Sequence, residues 1–166
     1  MASATPARPP RPPGPAGRVF KVMYYSRHDL GARGEAARAR AVDAILAWSR
    51  DWNARVGITG ALLVGPHHFA QVLEGPVDAV KSTFGRIALD PRHRAVTPIH
   101  ADWAAGRDFG EWSMARVGVE GEADVPLLDL RPETPAPPPP PSPEAVLELL
   151  RYLAREAAAA AANGGG

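Results

Sequence analysis

The alternation of apolar and polar residues predicts a first β-strand after a proline-rich start. Residues 1–17, "MASATPARPPRPPGPAG", show no apolar periodicity and cannot bury enough surface to offset their ordering entropy, so we expect a disordered N-terminal segment. The next residues, "RVFKVMYYS", place Phe20, Val22 and Tyr24 on one side of an extended strand. Lys21 marks the opposite side as the wetter one, which turns Tyr24 towards the core.

A helical period replaces this alternation between about Glu35 and Asn53. Apolar residues recur there at spacings of four, three and four, which predicts an amphipathic helix. The buried stripe is predicted to consist of Ala41, Ile45, Trp48 and Trp52. Ser49 and Asn53 continue the row, so two small polar side chains are expected on or beside this stripe near the end of the helix.

Two strands that follow the helix are predicted to form a hairpin. "GITGALLV" and "HHFAQVLEG" are separated by the turn residues Gly65 and Pro66. In the second strand Gln71 lies on the same side as Phe69 and Leu73, as strand alternation requires. If that side faces the core, an amide is buried there, and an unpaired amide costs about 1–3 kcal/mol. Gln71 therefore needs a hydrogen-bond partner.

A second helix and two further extended segments complete the predicted domain. "GPVDAVKSTFGRIALD" accommodates Pro76 in its first turn. Its apolar stripe consists of Val77, Val80, Phe84 and Ile87. Extended segments follow at about 95–104 and 111–118. Over residues 18–118 this order predicts an α+β, ferredoxin-like β-α-β-β-α-β fold with an added strand, in which two helices pack on one face of a mixed sheet.

The rest of the chain is predicted to be a spacer followed by a third helix. Residues 119–142 contain the polyproline run 137–141 and form a stiff, extended linker. Ser142 is a good N-cap for an amphipathic helix in the segment 143–166, which ends in a Gly tail. The apolar face of this helix consists of Val146, Leu149, Leu150 and Leu153. Such a short helix needs a surface to dock on, in cis or on a partner subunit.

Composition narrows the choice of partners. The 19 basic and 18 acidic residues give a formal charge of +1, which provides no field strong enough to favour nucleic acid or an anionic membrane. The chain has no cysteine and no run of about 18 apolar residues, so we expect a cytoplasmic protein that does not span a membrane. The five histidines show no ligand spacing, and we expect no metal site.

Three uncharged polar side chains are expected to converge on one layer beneath the two helices. They are Tyr24, Asn53 and Gln71. None of them titrates near neutral pH, so acid–base catalysis by them is not expected. Their donors and acceptors suit a flat heterocycle edged with carbonyls and ring nitrogens, while Ile45 and Phe69 would sandwich its apolar part.

The order and spacing of several short motifs resemble those of the BLUF domain, a flavin-binding sensor of blue light. The motifs are "MYYS", "WNARVGITGALLV", "FAQVLEG", "DPRH" and "RDFGEWSM", and the resemblance covers residues 18–118. It implies that Tyr24 is the electron-donating tyrosine, Gln71 the flavin-contacting switch, and Asn53 a hydrogen-bond partner of the flavin carbonyl edge. In such domains excitation of the oxidised flavin draws an electron, coupled to a proton, from the tyrosine, and the glutamine amide rearranges.

The same resemblance implies roles for further residues. Ile45 corresponds to an apolar residue under the flavin ring, and Arg92 and His93 to residues near the outer ring and the ribityl-phosphate side. Trp112 and Met114 correspond to a pair on the last strand, alternating on one of its faces, whose placement is linked to signalling. The implied cofactor is FAD, although related domains accept other flavins such as FMN or riboflavin.

The resemblance predicts a photoreceptor without an enzymatic domain of its own, which signals through contact with a downstream protein. We expect the sheet face that carries Met23 and Tyr25 to be covered by the helix of residues 143–160 or by another subunit of a homo-oligomer. Two alternatives remain open. One is a ferredoxin-like interaction module without flavin, and the other is an acylphosphatase-like hydrolase, which would need an asparagine that "SRHDLGARG" lacks. Absorption of blue light by a bound flavin would separate the photoreceptor from both.

Overall fold

The computed structural model describes residues 17–30, 34–118 and 142–163. Its elements are β1 (Val19–Arg27), α1 (Glu35–Val56), β2 (Thr59–Val64), β3 (His68–Gly75), α2 (Val77–Ala88), β4 (Arg94–Ala104), β5 (Ala115–Gly118) and α3 (Pro143–Asn163). This order confirms the predicted succession of strands and helices. Apart from Gly17 and Ser142, the predicted N-terminal segment and the predicted linker lie outside the described residues.

The five strands form one mixed sheet in the order β4-β1-β3-β2-β5. All neighbouring pairs are antiparallel except β2 and β5, which are parallel. The first four strands with α1 and α2 give the predicted ferredoxin-like arrangement, and β5 is the added strand. β2 and β3 form the predicted hairpin, and β1 lies against β3 so that Tyr24 is directly opposite Gln71.

α1 and α2 pack on one face of the sheet over an apolar core built mainly from Phe20, Val22, Ile45, Leu62, Phe69, Leu73 and Val80. The buried stripe of α1 differs from the predicted one, because Trp48 is 45% exposed. Val42 and Leu46 are buried instead. They lie on the same side of the helix as Ser49 and Asn53, which are buried as expected. The buried residues Val42, Ser49 and Asn53 each follow a predicted stripe residue by one position. A step of one residue turns the helix by about 100°, so the buried side is rotated by roughly that angle from the predicted one.

α3 covers the opposite face of the sheet, so the helix docks in cis, as one of the two predicted arrangements requires. Val146, Leu150 and Ala154 are buried there against sheet residues such as Met23, Ala61, Leu63, Ala70 and Val72. The helix begins after Ser142, whose Oγ accepts a hydrogen bond from the backbone N–H of Ala145 at 3.1 Å. This is the predicted N-cap.

The prediction that Lys21 marks a wet face is wrong. Lys21 is only 5% exposed and forms an ion pair with Asp108, while its Nζ lies 3.5 Å from Glu74 Oε2. Arg151 of α3 pairs with the other carboxylate oxygen of Asp108. A charge is tolerated under a helix when it is paired and hydrogen-bonded. We call Lys21, Glu74, Asp108 and Arg151 the Asp108 cluster.

The prediction of an extended segment from residue 111 is also wrong, since β5 begins at Ala115. The backbone N–H of Trp112 donates to the carbonyl of Phe109 at 3.0 Å, so the chain turns at this point and cannot be extended. Trp112 and Met114 therefore precede the last strand rather than lie on it.

Candidate functional site

The centre of the site is a buried pair of side chains on adjacent strands. Tyr24 Oη donates a hydrogen bond to Gln71 Oε1, and both residues are buried beneath α1 and α2. Burial, aided by the negative charge of Asp90, raises the pKa of Tyr24 well above its usual value. The phenol is therefore a neutral hydrogen-bond donor throughout the physiological pH range. This bond supplies the partner that the sequence demanded for Gln71.

The other end of the Gln71 amide has a much weaker partner. Gln71 Nε2 donates to the thioether sulfur of Met114, 3.4 Å away. A thioether is a weak acceptor, so this donor is only partly satisfied. The amide consequently has one firm and one soft hydrogen bond, and it can gain by meeting a better acceptor.

Asn53 brings a second amide to the same layer from the last turn of α1. Its Nδ2 donates to the carbonyl oxygen of Ser113 at 2.8 Å. Its Oδ1 is buried and, among the described residues, has no hydrogen-bond partner. A buried acceptor left unpaired costs about 1–3 kcal/mol. The orphaned oxygen fits a ligand that presents an N–H group at this position.

His93 forms the side of the site towards β4. Its Nδ1 is hydrogen-bonded to Ser26 Oγ at 2.9 Å, and its ring centroid lies 6.1 Å from that of Tyr24 and 4.8 Å from that of Phe69. Burial lowers the pKa of His93 to about 4, more than nearby Asp90 raises it. The imidazole is thus neutral near pH 7 and places no charge beside the phenol.

A backbone segment joins this site to the neighbouring elements. The carbonyl of Trp112 accepts from the backbone N–H of Gly60 in β2 at 3.1 Å, and the carbonyl of Met114 accepts from Arg50 Nε of α1 at 3.1 Å. The Met114 side chain packs in the core under α1 and α2, whereas the Trp112 side chain packs on the α3 side of the sheet. The expectation that these two side chains share one face is therefore wrong, because the segment turns before β5 begins.

A cavity of about 220 Å³ opens between α1 and the C-terminal end of α2. It is lined by Trp48, Arg86, Ile87, Asp90 and Arg92. Arg92 Nε and Nη2 fork onto the carboxylate of Asp90 at 2.9 and 2.5 Å. We call this opening the mouth.

The structure groups most of the predicted cofactor-binding residues and separates Arg92 from the others. Tyr24, Gln71, Asn53 and His93 line one buried layer, and Ile45 lies in the core that surrounds it. Arg92 belongs to the mouth, where its charge is taken up by Asp90. Residues missed from the sequence, Arg86 and Asp90, also belong to the mouth.

The Asp108 cluster lies on the other side of the sheet. Glu74 accepts hydrogen bonds from the backbone N–H groups of Asp108 and Phe109 at 2.9 and 2.6 Å, and from Thr59 Oγ1 at 3.0 Å. The buried carboxylate therefore fixes the loop that leads to Trp112, while Asp108 ties the same loop to α3 through Arg151. The loop is bonded to the buried layer and to α3 at once.

Two other kinds of site are not found in the described part of the chain. No group of three or more His, Cys, Asp or Glu side chains is placed to hold a metal ion there. No helix within the described residues is long and apolar enough to cross a membrane.

Comparisons with known proteins show the family to which this fold belongs. A family model described as "BLUF: Sensors of blue-light using FAD" matches residues 19–115. The dark-state structure of BlrB, a BLUF protein, superimposes with a TM-score of 0.65 at 32% identity, covering 84% of this chain and 98% of that one. The ground state of BlsA aligns with a TM-score of 0.56 at 27% identity and covers 61% of this chain and 65% of that one.

Curated relatives match over a smaller part of the chain. The blue light- and temperature-regulated antirepressor BluF of Escherichia coli (strain K12) is 40% identical over 62 residues, which are 37% of this chain and 15% of the antirepressor. The photoactivated adenylate cyclase subunit beta of Euglena gracilis is 39% identical over 88 residues, 52% of this chain and 10% of that subunit. The chain thus spans a small fraction of the length of these relatives.

Proposed function

The chain belongs to the BLUF family of flavin-binding blue-light sensors, and on that premise we propose that Tyr24 and Gln71 form its photochemical switch. The observation that carries this proposal is the buried hydrogen bond from Tyr24 Oη to Gln71 Oε1, beside an asparagine whose Oδ1 has no partner among the described residues. Buried acceptors in proteins are nearly always hydrogen-bonded, and a bound ligand would complete this one.

The residues of the buried layer fit a flavin. Asn53 Oδ1 would accept from a ring N–H, Gln71 Nε2 would donate to a ring nitrogen or carbonyl, and Ile45 would contact the ring from α1. His93, neutral at pH 7, would close the layer without adding charge. We propose FAD as the natural cofactor, the flavin that the family description names.

Light would act on Tyr24 and Gln71 together. A bound oxidised flavin would supply blue-light absorption and, in its excited state, the capacity to take up one electron. Tyr24 would provide that electron, and Gln71 Oε1 is the acceptor beside the Oη proton that would leave with it. Because the Nε2 side of the amide is held only by the Met114 thioether, a half-turn that exchanges Oε1 and Nε2 breaks one strong bond and one weak one. The amide can therefore rest in two arrangements.

We propose that the output runs from Met114 to α3. Any rearrangement of Gln71 changes the partner of Met114, whose backbone is held by Arg50 and whose neighbour Trp112 packs on the α3 side. The described domain would then signal by protein–protein contact with a downstream partner and have no catalytic activity of its own. A homo-oligomer remains our expectation.

The test is an absorption spectrum of the purified protein before and during blue illumination. We expect a flavin spectrum in the dark and a small, reversible red shift in the light. Gln71→Leu should keep the bound flavin and lose the shift, because leucine fills the space without offering the two hydrogen-bond arrangements. Glu111→Gln, at an exposed position near Trp112, serves as the matched control. A normal shift in Gln71→Leu would refute the switch assignment, and a protein that binds no flavin would refute the whole proposal.

A further inference from the structure

The mouth carries a side-chain set that the photochemistry does not use. Arg86 and Arg92 bring two guanidinium groups to its wall, and Trp48 adds a large indole that is 45% exposed. An indole face beside a guanidinium group offers both a stacking surface and a charge to a ligand that carries an aromatic ring and an anion. Resting on the proposed function, we propose that the mouth selects the flavin by its tail: Arg86 binds the phosphate and Trp48 stacks on the adenine of FAD.

Arg86 rather than Arg92 has the free charge at this opening. Arg92 is neutralised by its forked hydrogen bonds to Asp90. Arg86 has no carboxylate partner among the described residues, and its guanidinium lies 4.1 Å from the ring centroid of Trp52. A guanidinium stacked on an indole is fixed in orientation while its N–H groups remain free at the edge, which suits a phosphate. The contact must come from this side chain, since the C-terminal end of α2 is the negative end of the helix dipole.

Trp48 lies beside the same opening on α1. Its ring is parallel to that of Trp52, with 5° between the planes and 6.0 Å between centroids. Trp52 is itself anchored to α2 by a hydrogen bond from Nε1 to Thr83 Oγ1 at 3.0 Å. The outer indole thus lies parallel to an anchored inner one and is 45% exposed. Purine rings stack on such faces with little dependence on polar contacts.

Asp90 provides a mutation that should change phosphate binding in the opposite direction. Its carboxylate lines the mouth and would repel a phosphate, an effect that Arg92 offsets. Replacement by asparagine removes the repulsion and releases Arg92. If phosphate binds here, Asp90→Asn should strengthen its binding, whereas Arg86→Gln should weaken it.

Three flavins of increasing length provide the assay. Riboflavin lacks phosphate, FMN has one, and FAD adds the adenylate, so the ratio of their dissociation constants isolates each part of the tail. The full chain is loaded with each flavin in turn and diluted in the dark, and released flavin is followed by its fluorescence.

The two mutations should affect different steps of this series. Arg86→Gln should reduce the preference for FMN over riboflavin by about tenfold, the value of one charge-assisted hydrogen bond, and leave the FAD-to-FMN ratio unchanged. Trp48→Ala should reduce the preference for FAD over FMN by about fivefold and leave the FMN-to-riboflavin ratio unchanged. Asp90→Asn should raise the preference for FMN over riboflavin.

The exposed Arg55→Gln, whose arginine pairs with Asp51 on the outer face of α1, is the control and should change none of the ratios. Retention of riboflavin by each variant shows that the buried layer is intact. Unchanged ratios in Arg86→Gln and Trp48→Ala would overturn the inference while leaving the photoreceptor assignment in place. A chain that retains none of the three flavins would instead refute the proposed function.

Discussion

Replacing Lys21 by methionine tests whether the Asp108 cluster stabilises the fold as a unit. The side chain of Lys21 is 6% exposed, and its Nζ lies 3.5 Å from Glu74 Oε2 while pairing with Asp108. At an effective dielectric constant of about 20, one such pair is worth roughly 5 kcal/mol of Coulomb energy. Desolvation of the three charges cancels much of this in the intact cluster.

The Lys21→Met mutant, however, keeps the desolvation cost of the carboxylates and loses the lysine charge that offsets this cost. Asp108 keeps its pair with Arg151, but the buried Glu74 loses the lysine beside it, and breaking a buried pair costs about 3–5 kcal/mol. Because Glu74 keeps its three hydrogen bonds, we expect the lower end, about 3 kcal/mol less free energy of unfolding. Adding Glu74→Gln should restore about 1–2 kcal/mol, because it removes the carboxylate that has lost its charged partner.

The pH dependence of the stability difference between wild type and Lys21→Met provides a second check. Burial by itself would raise the pKa of Asp108, but its hydrogen bonds to Lys21 and Arg151 outweigh that effect and lower it. A carboxylate with a lowered pKa contributes stability above its unfolded pKa of about 3.9, and that stability is lost as the pH falls through the folded value. The gap between wild type and Lys21→Met should therefore be constant above about pH 5 and shrink below about pH 4.

Urea unfolding followed by circular dichroism at several pH values measures this gap. Arg55→Gln is the control, since its exposed pair with Asp51 should be worth less than about 0.5 kcal/mol. A loss in Lys21→Met below about 1 kcal/mol at pH 7, or a gap that does not change down to pH 3, would refute the reasoning.

Single contacts elsewhere in the molecule give three more predictions. Arg151→Gln, at a position 38% exposed, should lower the free energy of unfolding by less than about 1 kcal/mol yet speed hydrogen exchange of the α3 amides, while the light-induced red shift persists. Burial lowers the pKa of His28 and of His93 to about 4. The free energy of unfolding, measured by urea titration, should therefore fall by up to about 1.4 kcal/mol per pH unit for each ring as the pH drops from about 6.5 towards 4. His93→Asn should remove the contribution of that ring to the slope. Gly60→Ala should prevent the native fold or cost more than about 3 kcal/mol in the same assay, because a Cβ there overlaps the backbone carbonyl oxygen of Val72.

The parts of the site that could be predicted from the sequence follow strand and helix periods. Tyr24 and Gln71 each lie on the apolar side of an alternating strand, so the pattern alone predicts their burial on one face, and their pairing follows from β1 lying against β3. Asn53 continues a helical row and is buried as expected. Local periodicity, together with the requirement that a buried amide be bonded, was sufficient for these three residues.

The errors arose where long-range packing decides the outcome. Lys21 looks exposed in a strand pattern, and only Asp108, 87 positions later, makes its burial possible. Trp48 is a large apolar side chain and was expected on the buried side of α1, but it lies partly in solvent with its ring parallel to that of Trp52. Arg86 carries no local signal, because its neighbours in the mouth come from α1 and from the loop after α2. The chain topology decides which charges pair and which residues line a cavity. A single sequence does not specify that topology directly.

The same topology supports the proposed route from the Gln71 amide to the opposite face of the sheet. Gln71 and Glu74 lie on β3 three residues apart, and strand alternation therefore directs them to opposite faces. Gln71 contacts Met114, and Glu74 holds the start of the loop that ends at Met114. The loop is thus fixed to β3 from both sides of the sheet. If Gln71 rearranges as proposed, a shift of Met114 would act on this loop, whose Asp108 is bonded to α3.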